Sequence, residues 1–181
     1  RLYLLDASSL EVTGEVAVGR MPIGVEWRAD GRFAYVANSG SNDLSVVDIA
    51  ARSDVRRLTM NRRPWAVARQ PGGRRILVTH QLAGIAVAEE LPATEIAVVD
   101  TERQIVETRI ELPSAHVAQG IDFTPDGSLA LVSCAKVRNR VPITQVARNW
   151  VVGAMLAVVR LGEYPEATLA PLDSFTRCHA D

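Results

Sequence analysis

Three histidines, two cysteines and an almost pure arginine set of cations carry whatever chemistry this sequence offers. His80, His116 and His179 each suit metal ligation or proton transfer, yet no two fall at a recognised ligand spacing. A hydrogen-bonded structural role is the competing reading for each of them. Cys178-His179 forms the second half of Cys-x-x-Cys-His, the attachment sequence of c-type haem, with Phe175 standing where the first cysteine belongs. A plain terminus is the alternative there, and a Cys134–Cys178 bridge would suit an oxidising compartment. There is no Gly-x-Ser-x-Gly elbow and no Gly-x-x-x-x-Gly-Lys loop, so neither a serine hydrolase of that type nor a phosphate loop is indicated.

Nineteen of the 20 basic residues are Arg, and Lys136 is the single lysine. Arg favours planar, bidentate contacts to carboxylate or phosphate. Residues 136–153 hold Lys136, Arg138, Arg140, Arg148 and Trp150 without one acidic residue. Such a segment fits a small anionic ligand or the acidic patch of a protein partner; the competing reading is a solvated covering loop. With a net charge of −1 over 181 residues, 48% hydrophobic and 23% charged, the chain reads as globular and carries no nucleic-acid footprint. Its longest apolar stretch, residues 151–159, is too short for a membrane span.

The elements that must position these residues follow from an internal repeat. Residues 22–31, 64–73 and 118–127 end in similar turns, Asp30-Gly31, Gly72-Gly73 and Asp126-Gly127, each followed by an alternating apolar run. A second apolar run closes at Asp6, Asp48, Asp100 and Arg160. Gly31 and Gly73 lie 42 positions apart, as do Asp6 and Asp48; the later intervals are longer by 10 and 18. In the unit of residues 20–61 four short strands are expected at 24–27, 32–38, 43–49 and 54–60, separated by turn-forming residues. Four strands in roughly 40–45 residues is the pattern of a propeller blade. The recurring Asp6, Asp48 and Asp100 read as turn formers, because a residue repeated in every unit serves the unit.

Residues 22–60, with Pro22-Ile-Gly-Val25, Asp30-Gly31, Tyr35-Val-Ala-Asn38, Ser41-Asn42 and Leu44-Ser-Val-Val-Asp48, resemble the YVTN-type β-propeller repeat. The later units depart from it, with Leu77-Val-Thr-His80 and Leu131-Val-Ser-Cys134 in the name-giving place. The resemblance implies an all-β fold of four-stranded antiparallel blades over residues 1–173, divided near 1–19 (partial), 20–61, 62–113 and 114–173, with 174–181 as a tail. About three and a half blades of an incomplete ring are thus expected, the remaining blades lying elsewhere. It also implies an exported, periplasmic or extracellular bacterial protein.

Alternating strand direction places the connections between blades on the same face as the second-to-third-strand connections. Both insertions, 82–93 and 136–153, fall in the latter, so one decorated face is expected, and long loops on rigid scaffolds carry function. Arg20, Arg62, Arg63 and His116 in the interblade connections, and Asn38, His80 and Cys134 at strand ends, fall on that face. The candidate contact set is therefore Arg20, Arg62, Arg63, His80, His116, Arg138, Arg140, Arg148 and Trp150, with no catalytic or metal set. The leading reading is a docking platform for a protein or a small anionic ligand. The alternatives are a lactonase-type hydrolase and a periplasmic redox protein whose cytochrome c-like partner domain carries the cofactor, with Cys178 and His179 as candidate haem residues.

Overall fold

A computed structural model describes residues 1–82, 93–137 and 152–172. Alternation of β-branched, aromatic and polar residues produces strands throughout, and there is no helix among the described residues. The chain begins with a hairpin, β1 (Leu2–Leu5) and β2 (Val12–Val16). Three four-stranded antiparallel sheets follow, each a simple meander. The first contains β3 (Pro22–Trp27), β4 (Phe33–Asn38), β5 (Asp43–Asp48) and β6 (Ser53–Thr59). The second contains β7 (Pro64–Arg69), β8 (Arg75–His80), β9 (Ala93–Asp100) and β10 (Ile105–Pro113). The third contains β11 (Ala115–Phe123), β12 (Leu129–Val137), β13 (Val152–Arg160) and β14 (Glu166–Pro171).

Stacking of the sheets explains their composition. The middle strands β4, β5, β8 and β9 are buried on both faces and read as nearly continuous apolar runs, whereas the outer strands β6 and β10 alternate with exposed residues. One core lies between the hairpin and the first sheet, built on Val16, Ala34, Val36 and Val47. A second lies between the first two sheets, around Tyr35, Leu44, Ile76 and Val99, and a third between the last two, around Leu77, Ile96, Val132 and Met155. Polar ties cross the same boundaries. The buried Tyr35 hydroxyl donates to the Thr101 carbonyl at 2.9 Å, and the Gln70 amide donates to the Gly127 carbonyl at 2.8 Å.

The turns repeat as the sheets do. Asp6, Asp48 and Asp100 each accept backbone N–H bonds of the following turn through Oδ1, at 2.9 to 3.0 Å. A left-handed residue, Leu10, Arg52 or Gln104, sits in the same turns, and Met21, Arg63 and Ser114 take that conformation just before each first strand. The turn between the first two strands has its left-handed glycine at Gly31 and Gly127, but at Gly72 rather than Gly73 in the second sheet. Pro71-Gly72 suits a type II turn, which needs positive φ at its third residue.

Two sequence expectations change. β12 and β13 stay paired through Lys136–Gly153 and Val137–Val152, so Lys136 belongs to the sheet and the second insertion narrows to residues 138–151. Only Ser114 separates β10 from β11, so His116 lies within a strand, at a bulge, instead of in an interblade loop.

Candidate functional site

Strand register fixes which end of the stack each residue occupies. Asn38 pairs with both Pro22 and Asp43, and His80 pairs with Pro64. The starts of first strands, the ends of second strands and the stems of both insertions are therefore at one end. Arg20 is exposed there, with its backbone N–H donating to Ser41 Oγ at 2.9 Å and its guanidinium to the Gly40 carbonyl at 3.2 Å. The Arg63 N–H donates to Asn42 Oδ1 at 2.9 Å, and its carbonyl accepts the Gln81 N–H at 2.8 Å. The exposed Arg62 has its N–H bonded to Asn61 Oδ1. Among the described residues neither Arg20 nor Arg63 enters an ion pair, so the backbone of this cationic rim is pinned while Arg20 and Arg63 keep their charge uncompensated.

His80 behaves differently. It is fully buried, with Nδ1 3.0 Å from the Glu95 carbonyl and Nε2 4.0 Å from Glu95 Oε1, and Nε2 has no hydrogen-bond partner. Burial depresses its pKa below 6.5, outweighing the opposing pull of Glu95. Glu95 in turn pairs with Arg109, takes a bond from Asn61 Nδ2 at 3.1 Å, and so ties the second sheet to the preceding crossover, where Arg109 also donates to the Thr59 carbonyl. The equivalent Asn38 is likewise buried, donating to Asp43 Oδ1 at 2.6 Å and Ser45 Oγ at 2.9 Å. Cys134, at the same repeat position, is a buried thiol whose pKa burial pushes up to about 11. Asn38 and His80 end β4 and β8, whereas Cys134 lies inside β12, which runs on to Val137. Asn38 and His80 have no exposed surface there.

His116 is half-buried, and its Nδ1 is enclosed without a partner. Arg138, Arg140, Arg148, Trp150, Cys178 and His179 lie outside the described residues. No cluster of three metal-ligating side chains occurs among the described residues. An open cleft of about 380 Å³, lined by Val117, Gln119, Ser133, Cys134 and Ala154 among others, adjoins the second insertion. A wider one of about 560 Å³ lies at the opposite end, between Arg28–Asp30, Gly72–Arg74 and Thr101–Glu102. Its cations are compensated, Arg28 by Asp30 and Arg74 by Asp100 and Glu102. Sequence reasoning missed Glu95 and this second cleft. Only the repeated glycine turn signalled the cleft, and no local pattern marks Glu95.

The chain is similar in structure to "Kuenenia stuttgartiensis Hydrazine Synthase", with a TM-score of 0.53 and 19% identity, covering 93% of this chain and 59% of that one. It is also similar to dihydro-haem d1 dehydrogenase NirN solved in complex with DHE, with a TM-score of 0.63 and 17% identity, covering 92% of this chain and 32% of that one. Both contain β-propellers. The fold is a partial β-propeller. Its three four-stranded sheets are blades, its opening hairpin is the outer half of another, and the array is unclosed. The chain spans less than two thirds of either neighbour. No protein-family model and no curated protein matches the sequence. Among the described residues no helix is long and apolar enough to cross a membrane, which says nothing of a β-barrel.

Proposed function

We propose that this partial propeller, built of YVTN-type repeats, is a docking platform of an exported bacterial protein, periplasmic or extracellular. Its contact surface is the end carrying the two insertions. The observation that supports this reading most is the coincidence there of both insertion stems with the pinned, uncompensated Arg20 and Arg63. With Arg62, and with Arg138, Arg140, Arg148 and Trp150 on the second insertion, this end would hold an acidic patch of a protein partner or a small anionic ligand. Titration with polyglutamate and with inorganic phosphate tests it. Binding of either, weakened by salt and by joint Arg138→Glu, Arg140→Glu and Arg148→Glu substitution, is the expected result. Absence of binding, or binding indifferent to those charges, refutes it.

A second reading is favoured by the solved neighbours, one of which is by its title a dihydro-haem d1 dehydrogenase. On that reading the chain is the propeller portion of a redox protein, and Cys178 and His179 hold a haem c or adjoin a domain that does. Expression with a cytochrome c maturation system followed by a haemochrome spectrum tests it. Covalent haem lost in Cys178→Ala supports attachment here, and no covalent haem removes it.

A further inference from the structure

We propose that His80 makes the insertion-bearing end acid-responsive: a proton on its Nε2 divides the Glu95 carboxylate between two cations, and the uncompensated charge tightens the hold on an anionic ligand. The inference rests on the docking reading of that end and supplies its regulation.

The hydrogen bonds of His80 decide where its proton sits. A backbone carbonyl only accepts, so the 3.0 Å contact between Nδ1 and the Glu95 carbonyl requires Nδ1 to carry the hydrogen. Nε2 is then a bare lone pair, fully buried and without a donor. Glu95 Oε1 stands 4.0 Å from it. Two acceptors have no reason to approach, but an added proton turns Nε2 into a donor that reaches Oε1 after a shift of about 1 Å. A buried imidazolium needs such a counter-charge.

Glu95 is the hub through which that proton reaches the rim. Its carboxylate takes Arg109 on Oε1 and the Asn61 amide on Oε2 at 3.1 Å, and Asn61 Oδ1 accepts the Arg62 N–H at 2.9 Å. From the other side, His80 pairs with Pro64, and the Gln81 N–H donates to the Arg63 carbonyl at 2.8 Å. Both routes end on the crossover that carries Arg62 and Arg63, between two complete blades. His80, Glu95 and Arg109 together carry no net charge while the imidazole is neutral and one positive charge once it is protonated. The gain falls where a ligand can feel it, since the Arg109 side chain is 38% exposed. Elements packed around β8 bring further titratable groups to this end: Asp43 and Arg57 on the preceding blade, Glu111 on β10 and His116 on β11. Asp43 is tied to Asn38 and Arg57 to Asp54. Burial is the main force holding the imidazole neutral; of the charges acting on it, Glu95 draws the proton in and Arg109 opposes it.

The probe is dextran sulfate, whose charge stays constant from about pH 7.5 to about pH 5.5, where histidine titrates. Against the full chain it should bind roughly two- to tenfold more tightly at the lower pH, the effect of one added charge within a Debye length. His80→Asn, which places there the residue of the equivalent Asn38, should lose that gain. Binding at the lower pH should also take up a proton, read by calorimetry in buffers of different ionisation enthalpy, because proton and anion favour each other reciprocally. Nitrogen-15 NMR of the free chain at the higher pH should show the hydrogen on Nδ1 and a bare Nε2. A gain of equal size in wild type and His80→Asn overturns the proposal. So does a hydrogen on Nε2 at the higher pH, or unfolding by circular dichroism before any gain. Binding at the higher pH without a His80-dependent gain defeats this inference alone, whereas no binding at either pH defeats the docking reading with it.

Discussion

Replacing Gly24 by Ala tests whether the innermost strands meet backbone to backbone. A Cβ on Gly24 would lie 2.4 Å from the Trp65 carbonyl oxygen of the next blade and 3.4 Å from Val67 Cγ2. Real contacts of this kind stay beyond 3.0 Å, so β3 and β7 must part by at least 0.6 Å. Neither partner is the loose end of a flexible side chain, and both strands are held by sheets packed on the second core. Overpacking of this sort costs about 1–3 kcal/mol. Two further substitutions separate the clash from generic glycine effects. Gly162 has open space and ordinary φ, so Gly162→Ala should be neutral or slightly stabilising. Gly31 also has open space but φ of 70°, so Gly31→Ala should cost about 1–2 kcal/mol through backbone strain alone. Urea denaturation followed by tryptophan fluorescence reads all three. Gly24→Ala indistinguishable from Gly162→Ala would refute the close approach of β3 to β7, and with it the stacking of the first blade on the second.

Tyr35→Phe removes the buried interblade bond to the Thr101 carbonyl and should destabilise by about 1–2 kcal/mol; an unchanged denaturation midpoint would show that the bond contributes nothing. His80 is neutral when folded because its pKa is depressed, while the unfolded chain takes up a proton as pH falls through 6.5. Stability is therefore complete above that value and declines below it, against the local charges of Glu95 and Arg109, and His80→Asn should flatten the decline. A pH profile identical in wild type and variant would count against this. Cys134, buried with its pKa raised to about 11, should resist iodoacetamide at mildly alkaline pH until the chain unfolds, and rapid labelling of the native protein would contradict its placement.

The sequence alone determined the strands, their order and the open blade array, because period-two alternation and turn residues are local signals that recur with the repeat. Pro22–Trp27, Phe33–Asn38, Asp43–Asp48 and Ser53–Thr59 fall within a residue or two of where alternation places them. The shared end of Arg20, Arg63 and the insertion stems also follows from strand alternation. What only tertiary structure decided is which of those end residues meet solvent. Asn38, His80 and Cys134 look like rim residues in sequence, yet all three are buried: Asn38 and His80 end their strands inside the stack, because burial at a strand end depends on the next blade, and Cys134 lies within β12, which continues to Val137. Lys136 and His116 moved from loop to strand for a related reason: sheet pairing extended β12 and bulged β11 beyond what the local pattern shows. The Glu95 link between His80, Arg109 and Asn61 arises from contacts across blades. Such contacts join residues far apart in the chain, and no spacing rule within one repeat encodes them.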